Sequence, residues 1–104
     1  EVVRTITFAD AEVESLVRRT LEATGLRGAV TVQLLRDLDT DKLMIMEVNP
    51  RLGGGVVASV HAGADIPRLI IADALGEELP YMQATPGVET VRYLADVVFY
   101  PDQK

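Results

Sequence analysis

The chain has 104 residues, 48% hydrophobic and 25% charged, enough to bury one modest core but too short for a second independent domain. Its formal net charge of -6 argues against broad electrostatic binding to nucleic acid or to an anionic membrane, since both call for a basic surface. The absence of cysteine removes disulfides, thiolate zinc sites and cysteine nucleophiles.

Residues 1–8 read as a strand, with Val3, Ile6 and Phe8 apolar. The first residue is Glu1 and the strand pattern starts at once, so a longer polypeptide is expected around this chain. Asp10 has the chemistry of an N-cap. Val13, Leu16, Val17 and Leu21 then recur at helical spacing, charged residues fill the other side, and Gly25 ends the helix. AVTVQLLRD and KLMIMEVNP are β-rich runs flanking a polar stretch centred on Asp39–Asp41, a hairpin pattern that predicts antiparallel strands over 29–37 and 43–49. The Met44 and Met46 side is expected to be buried, with the helices near residues 11–24 and 66–75 covering one face. Beyond the glycine triplet Gly53–Gly55, VVASVHAG predicts a short helix ending at Gly63. A second helix follows, capped by Asp65, with Pro67 in its first turn and Gly76 at its end. EELPYMQATPG reads as loop. GVETVRYLADVVFYP reads as a late strand or hairpin, with Val91, Tyr93, Ala95, Val97 and Phe99 on one face. No apolar run approaches the roughly 20 residues that span a bilayer, and no leader pattern opens the chain. The expectation is a soluble, cytoplasmic protein of α+β class, with an antiparallel or mixed sheet and packed helices.

The hairpin carries the chemistry. Alternation puts Glu47 and Asn49 on one side of their strand, and a hairpin symmetric about Thr40 sets Gln33 opposite Glu47. Directly opposed Cβ atoms lie roughly 4.5–5.5 Å apart, which gathers one carboxylate and two amides. Such a set suits Mg²⁺, which takes one or two carboxylates from protein and leaves its remaining positions to phosphates and water. Arg51, two residues beyond Asn49, is placed to neutralise oxygens that gain charge in phosphoryl transfer. The glycines permit close backbone approach.

MEVNPR preceded by VTVQ resembles the metal-binding segment of the ATP-grasp superfamily, and among its members the carbamoyl-phosphate synthetase large-subunit type. AGADIPRLIIADALGEEL resembles the helix that follows that segment. The resemblance spans roughly residues 5–80. It implies that residues 1–104 are the C-terminal portion of an ATP-grasp domain, with 81–104 as a C-terminal extension. It further implies that Gln33, Glu47 and Asn49 bind metal, that Glu47, Asn49 and Arg51 bind ATP, and that Arg51 acts on phosphate as the catalytic residue. The cofactors implied are ATP and Mg²⁺, with Mn²⁺ as an admissible substitute. The partners implied are a small carboxylate or bicarbonate, and an N-terminal ATP-grasp lobe in cis or in trans, because the lobe's phosphate-gripping lysines and adenine hinge have no counterpart here. The implied activity is that of a ligase that activates a carboxylate or bicarbonate as an acyl phosphate for attack by an amine. Gly53–Gly55 departs from the Ser/Arg-containing stretch of carbamoyl-phosphate synthetases, so a carboxylate–amine ligase competes with that reading.

Plainer readings stand beside these. Arg51 alone fits a surface ion pair, the glycines fit a flexible connection, and His61 fits packing or partial exposure better than acid–base work. Asp37, Asp39 and Asp41 lack the glycine and glutamate of a calcium loop and fit a solvated turn. A non-catalytic binding or oligomerisation module is the alternative function, using the apolar stretch from Tyr93 to Tyr100; a homo-oligomer is compatible with either reading.

Overall fold

The computed structural model describes residues 3–103. In chain order its elements are β1 (Arg4–Ile6), α1 (Ala11–Thr24), β2 (Thr31–Arg36), β3 (Leu43–Asn49), α2 (Val56–His61), α3 (Ile66–Ala74), β4 (Glu89–Val91) and a short 3-10 turn, Pro101–Gln103. Of the first expected strand, Glu1 and Val2 lie outside the described residues. The strands form two separate antiparallel pairs, β1 with β4 and β2 with β3, so the chain is α+β.

Helix α1 forms where its pattern and its caps agree. Asp10 is extended, and its carboxylate accepts from the backbone N–H groups of Glu12 at 2.9 Å and Val13 at 3.1 Å, a cap worth about 1 kcal/mol. Glu12 and Glu14 sit in the first turn, where negative charge meets the positive end of the helix dipole. Gly25 closes the helix with φ 70°, donating its N–H to the Leu21 carbonyl. That left-handed backbone favours glycine. Val13, Leu16, Val17 and Leu21 form the half-buried stripe.

The hairpin departs from simple symmetry in an instructive way. Asp37 accepts from the backbone N–H groups of Asp39 and Thr40, an Asx-type turn, and Asp41 takes φ 59°. The loop pairs Arg36 with Leu43, Leu35 with Met44 and Leu34 with Ile45, which centres it between Asp39 and Thr40 rather than on Thr40. Met46 is then left unpaired as a β-bulge, after which Gln33 faces Glu47, Val32 faces Val48 and Thr31 faces Asn49. A bulge adds one residue to one strand and so reverses its alternation. Leu35 shares a side with Gln33, two residues earlier on a regular strand, and its partner Met44 therefore lies on the Glu47 side. This corrects the expectation of a buried methionine face opposite Glu47: Met44 is 39% and Met46 55% exposed.

The opposite side, with Val32, Leu34 and Arg36, is half-buried. There Arg36 bridges Glu12 of α1 at 3.0 Å and Asp41 of the loop at 3.5 Å. The hydrogen bond to Glu12 is the main reason its guanidinium is held above even the usual arginine range. From α3, Ile66 lines a cavity together with Val30 and Val32. Arg36 thus ties α1 to this face, but the helices do not close a core over it, which corrects the expectation of a covered face.

Among the described residues only Ala58, Ala62 and Ala64 are buried apolar groups, all in and around α2. The radius of gyration is 17.3 Å, against about 13 Å for a compact domain of this length, so large apolar faces remain uncovered. The long late strand is also corrected. Only Glu89–Val91 pairs, with Ile6 to Arg4; the Arg92 N–H still reaches the Val3 carbonyl, and beyond it no described strand offers a ladder. Tyr93–Tyr100 has no regular structure and is exposed throughout. No helix among the described residues is long and apolar enough to cross a membrane.

Candidate functional site

The bulge at Met46 places Glu47 directly across the ladder from Gln33, and the next pair on the same side is Thr31 with Asn49. A two-residue strand step of roughly 6.6–6.8 Å separates Glu47 from Asn49. Gln33 and Glu47 are exposed and Asn49 is half-buried. Among the described residues, no ion pair engages Glu47. The patch therefore presents one uncompensated carboxylate and two amides on an open face.

Beyond Asn49 the chain turns sharply. The Arg51 N–H donates to the Asn49 carbonyl at 2.8 Å, and the Thr31 hydroxyl donates to the Arg51 carbonyl at 2.9 Å. Thr31 thus staples the turn to the strand opposite. The close approach requires glycine at 53, where a Cβ would lie 2.9 Å from Thr31 Oγ1 and 3.1 Å from its Cγ2. From the far side, Arg92 donates to the Gly54 carbonyl at 2.7 Å, tying the triplet to β4. The triplet is a braced turn rather than a loose connection.

Arg51 is exposed, and its guanidinium donates to the Leu52 carbonyl at 2.9 Å. Among the described residues no carboxylate pairs with it, so its charge remains free for a ligand. The structure thus brings Gln33, Glu47 and Asn49 onto one side and holds Arg51 at its edge. His61 is exposed at the end of α2 and has no part in the group. Thr31 and Arg92 escaped the sequence reading. The glycine triplet pointed to a close approach, but nothing local identified its partners.

No group of three acidic, histidine or cysteine side chains lies together among the described residues, which argues against a closed protein cage for a cation. A lone carboxylate with amide oxygens suits a metal ion that brings phosphate oxygens and water. The donor set therefore fits Mg²⁺ or Mn²⁺ carried by a nucleotide. A surface groove of about 670 Å³ runs along α1 past Phe8, Val13, Val17 and Tyr81 and touches none of these residues. Its exposed lining is mainly apolar.

Residues 3–97 match the model of a protein family described as ATP-grasp in the biosynthetic pathway with Ter operon. No curated protein matches the chain.

Proposed function

The chain belongs to this ATP-grasp family, and from that membership we propose that it supplies the metal and phosphate ligands of an ATP-dependent carboxylate–amine ligase. The observation that carries the reading is the Gln33–Glu47 pair, a carboxylate and an amide opposed on an open strand face with Asn49 beside them. The description of the matched family lends no support to a carbamoyl-phosphate synthetase type, and we adopt the carboxylate–amine reaction as the reading.

In this account residues 1–104 form the C-terminal portion of the ATP-grasp domain. The pairing of β4 with β1 supports counting the late segment as part of that unit. Glu47, Asn49 and Gln33 hold Mg²⁺, which when bound screens the phosphate oxygens of ATP and fixes their orientation. Arg51 offers a permanent positive charge to the γ-phosphoryl oxygens as they gain charge. A substrate carboxylate oxygen attacks the γ-phosphorus, the bond to the β,γ-bridging oxygen breaks, and ADP leaves an acyl phosphate. An amine then attacks the acyl carbon, inorganic phosphate departs, and the nitrogen gives up a proton. The adenine site and further phosphate contacts come from a second ATP-grasp lobe, in cis or in trans, and the uncovered face of the hairpin supports such a partner. A cytoplasmic setting, where ATP is supplied, goes with this reading.

The test is ADP formation by the complete protein at saturating Mg²⁺. Glu47→Gln and Asn49→Ala should lower turnover by about two orders of magnitude or more, the scale of losing a group that orients phosphoryl transfer. Melting should be unchanged, because both side chains are outside the core. Near-normal turnover in Glu47→Gln would remove the carboxylate as a metal ligand. The exposed stretch Tyr93–Tyr100 favours a second reading, a non-catalytic binding or oligomerisation module, and a complete protein that forms no ADP with any carboxylate would support it.

A further inference from the structure

We propose that Arg92 is a positioning residue of the phosphate site: by holding the far end of the glycine turn it fixes where Arg51 presents its charge, and so sets the rate of phosphoryl transfer without touching nucleotide or metal. This rests on the ligase reading and adds a residue to that site. Gly53, Gly54 and Gly55 follow one another with no side chain to anchor them, and glycine loses more backbone freedom on ordering than any other residue. A fixed turn here needs holds from outside. The carbonyls of residues 51–54 are all engaged: that of Arg51 accepts from the Thr31 hydroxyl at 2.9 Å, Leu52 from the Arg51 guanidinium at 2.9 Å, Gly53 from the Val56 N–H at 3.2 Å and Gly54 from the Arg92 guanidinium at 2.7 Å. Only the holds from Thr31 and Arg92 reach in from distant parts of the chain. Thr31, the ladder partner of Asn49, holds the entry of the turn, and Arg92 holds its exit.

The link to Arg51 runs through Leu52. The Arg51 guanidinium rests on the Leu52 carbonyl, which lies between the two holds. With the exit released, the glycines that carry this carbonyl are free to turn and the guanidinium loses its rest. The exit hold is separable from the fold. Beyond the turn, α2 is kept in place by other contacts: Ala58 and Ala62 are buried, and the Thr85 N–H donates to the Ala62 carbonyl at 2.8 Å. β4 pairs with β1 through its backbone, and the Arg92 N–H reaches the Val3 carbonyl without help from its side chain. Arg92 is exposed, and among the described residues its guanidinium pairs with no carboxylate. Replacing that side chain therefore loosens the glycines while helix and strand stay where they are. Gln33, Glu47 and Asn49 are held by the β2–β3 ladder, so the metal patch is retained as well.

The experiment uses the complete, ¹⁵N-labelled protein as wild type, Arg92→Met and Arg92→Lys, each also made on an Arg51→Ala background. Methionine keeps an apolar stem and removes the donors. Arg92→Met should lower kcat for ADP formation roughly tenfold to a hundredfold, the scale of misplacing an orienting group, while the KM for Mg²⁺-ATP changes by less than about twofold. The Arg51 Nε–H signal should shift, and exchange at the Gly54 and Gly55 amides should quicken. Lysine still donates one hydrogen bond and should recover part of the rate. On the Arg51→Ala background, Arg92→Met should leave the residual turnover unchanged, because Arg92 acts through Arg51. A merely structural Arg92 would lower turnover alike in both backgrounds, and that result, an unchanged kcat in Arg92→Met or an unmoved Arg51 signal would overturn the proposal. If Arg92→Met does not fold, Arg92→Lys in the two backgrounds carries the same comparison with a smaller effect. The two readings separate. ADP formation that needs Glu47 but is indifferent to Arg92 defeats the Arg92 hold alone, whereas a wild type that forms no ADP defeats the ligase reading and leaves the Arg51 and glycine signals to decide the hold.

Discussion

Replacing Gly53 with alanine tests whether the turn that presents Arg51 is as tightly built as its geometry indicates. The added Cβ would stand 2.9 Å from Thr31 Oγ1 and 3.1 Å from Cγ2, closer than carbon normally tolerates. Thr31 is β-branched and cannot withdraw both atoms by one rotation. Yielding would cost its hydrogen bond to the Arg51 carbonyl, about 1 kcal/mol, plus about 1–3 kcal/mol of overpacking, offset by about 0.4–1 kcal/mol from the less flexible unfolded chain. The net destabilisation is about 1–3.6 kcal/mol, which for a domain of this length lowers the melting temperature by roughly 4–29 °C. Gly54→Ala is the control, because nothing lies within 4 Å of its Cβ position, and it should change stability by less than about 0.5 kcal/mol. Thr31→Ala removes both clashing atoms, so Gly53→Ala in that background should lose most of its cost, giving a coupling of about 1–2 kcal/mol in a double-mutant cycle of urea melts. Equal effects of Gly53→Ala and Gly54→Ala, or strict additivity with Thr31→Ala, would refute the reasoning.

Among the site variants, Gln33→Ala should lower turnover less than Glu47→Gln, because water can take the place of a neutral ligand; steady-state kinetics at saturating Mg²⁺ rank the two. Arg51→Lys keeps the charge but loses the planar fork, so kcat should fall more than nucleotide affinity, a split read from kinetics alongside calorimetry. Arg36→Met should loosen the start of α1 from the hairpin and speed amide exchange at Val13 and Glu14. A folded pKa raised above the ordinary arginine value means that Arg36 stays charged through neutral and mildly alkaline pH and gives up this contact only as pH climbs through the raised value. The difference between wild type and Arg36→Met should therefore stay constant from neutral to mildly alkaline pH, and thermal melts across that range check it.

The elements legible in the sequence were those with local causes. Asp10 caps the start of α1 and Gly25 ends it, and Asp65 and Pro67 mark the start of α3. The Gln33–Glu47 register was legible too, although two departures that cancel produce it: a loop centred half a residue earlier and a bulge at Met46. Nothing in LMIMEVN signals that bulge, since Met44 and Met46 read as ordinary alternation until a cross-strand partner forces one residue out. The burial of Met44 was misjudged for that reason. Tyr93–Tyr100 shows the converse, a strand-like pattern left without a partner strand. Thr31 and Arg92 were invisible because their roles rest on contacts with Arg51 and Gly54, 20 and 38 residues away, which spacing along the chain does not encode.

The central claim, that the Gln33–Glu47–Asn49 patch holds the metal of a bound nucleotide, is tested most directly by replacing Mg²⁺ with paramagnetic Mn²⁺ in the ATP complex of the complete, ¹⁵N-labelled protein. The account predicts selective broadening of the side-chain amide signals of Gln33 and Asn49 and of the backbone signal of Glu47, abolished in Glu47→Gln. Broadening centred on the α1 groove around Val13 and Val17, or unchanged broadening in Glu47→Gln, would contradict it.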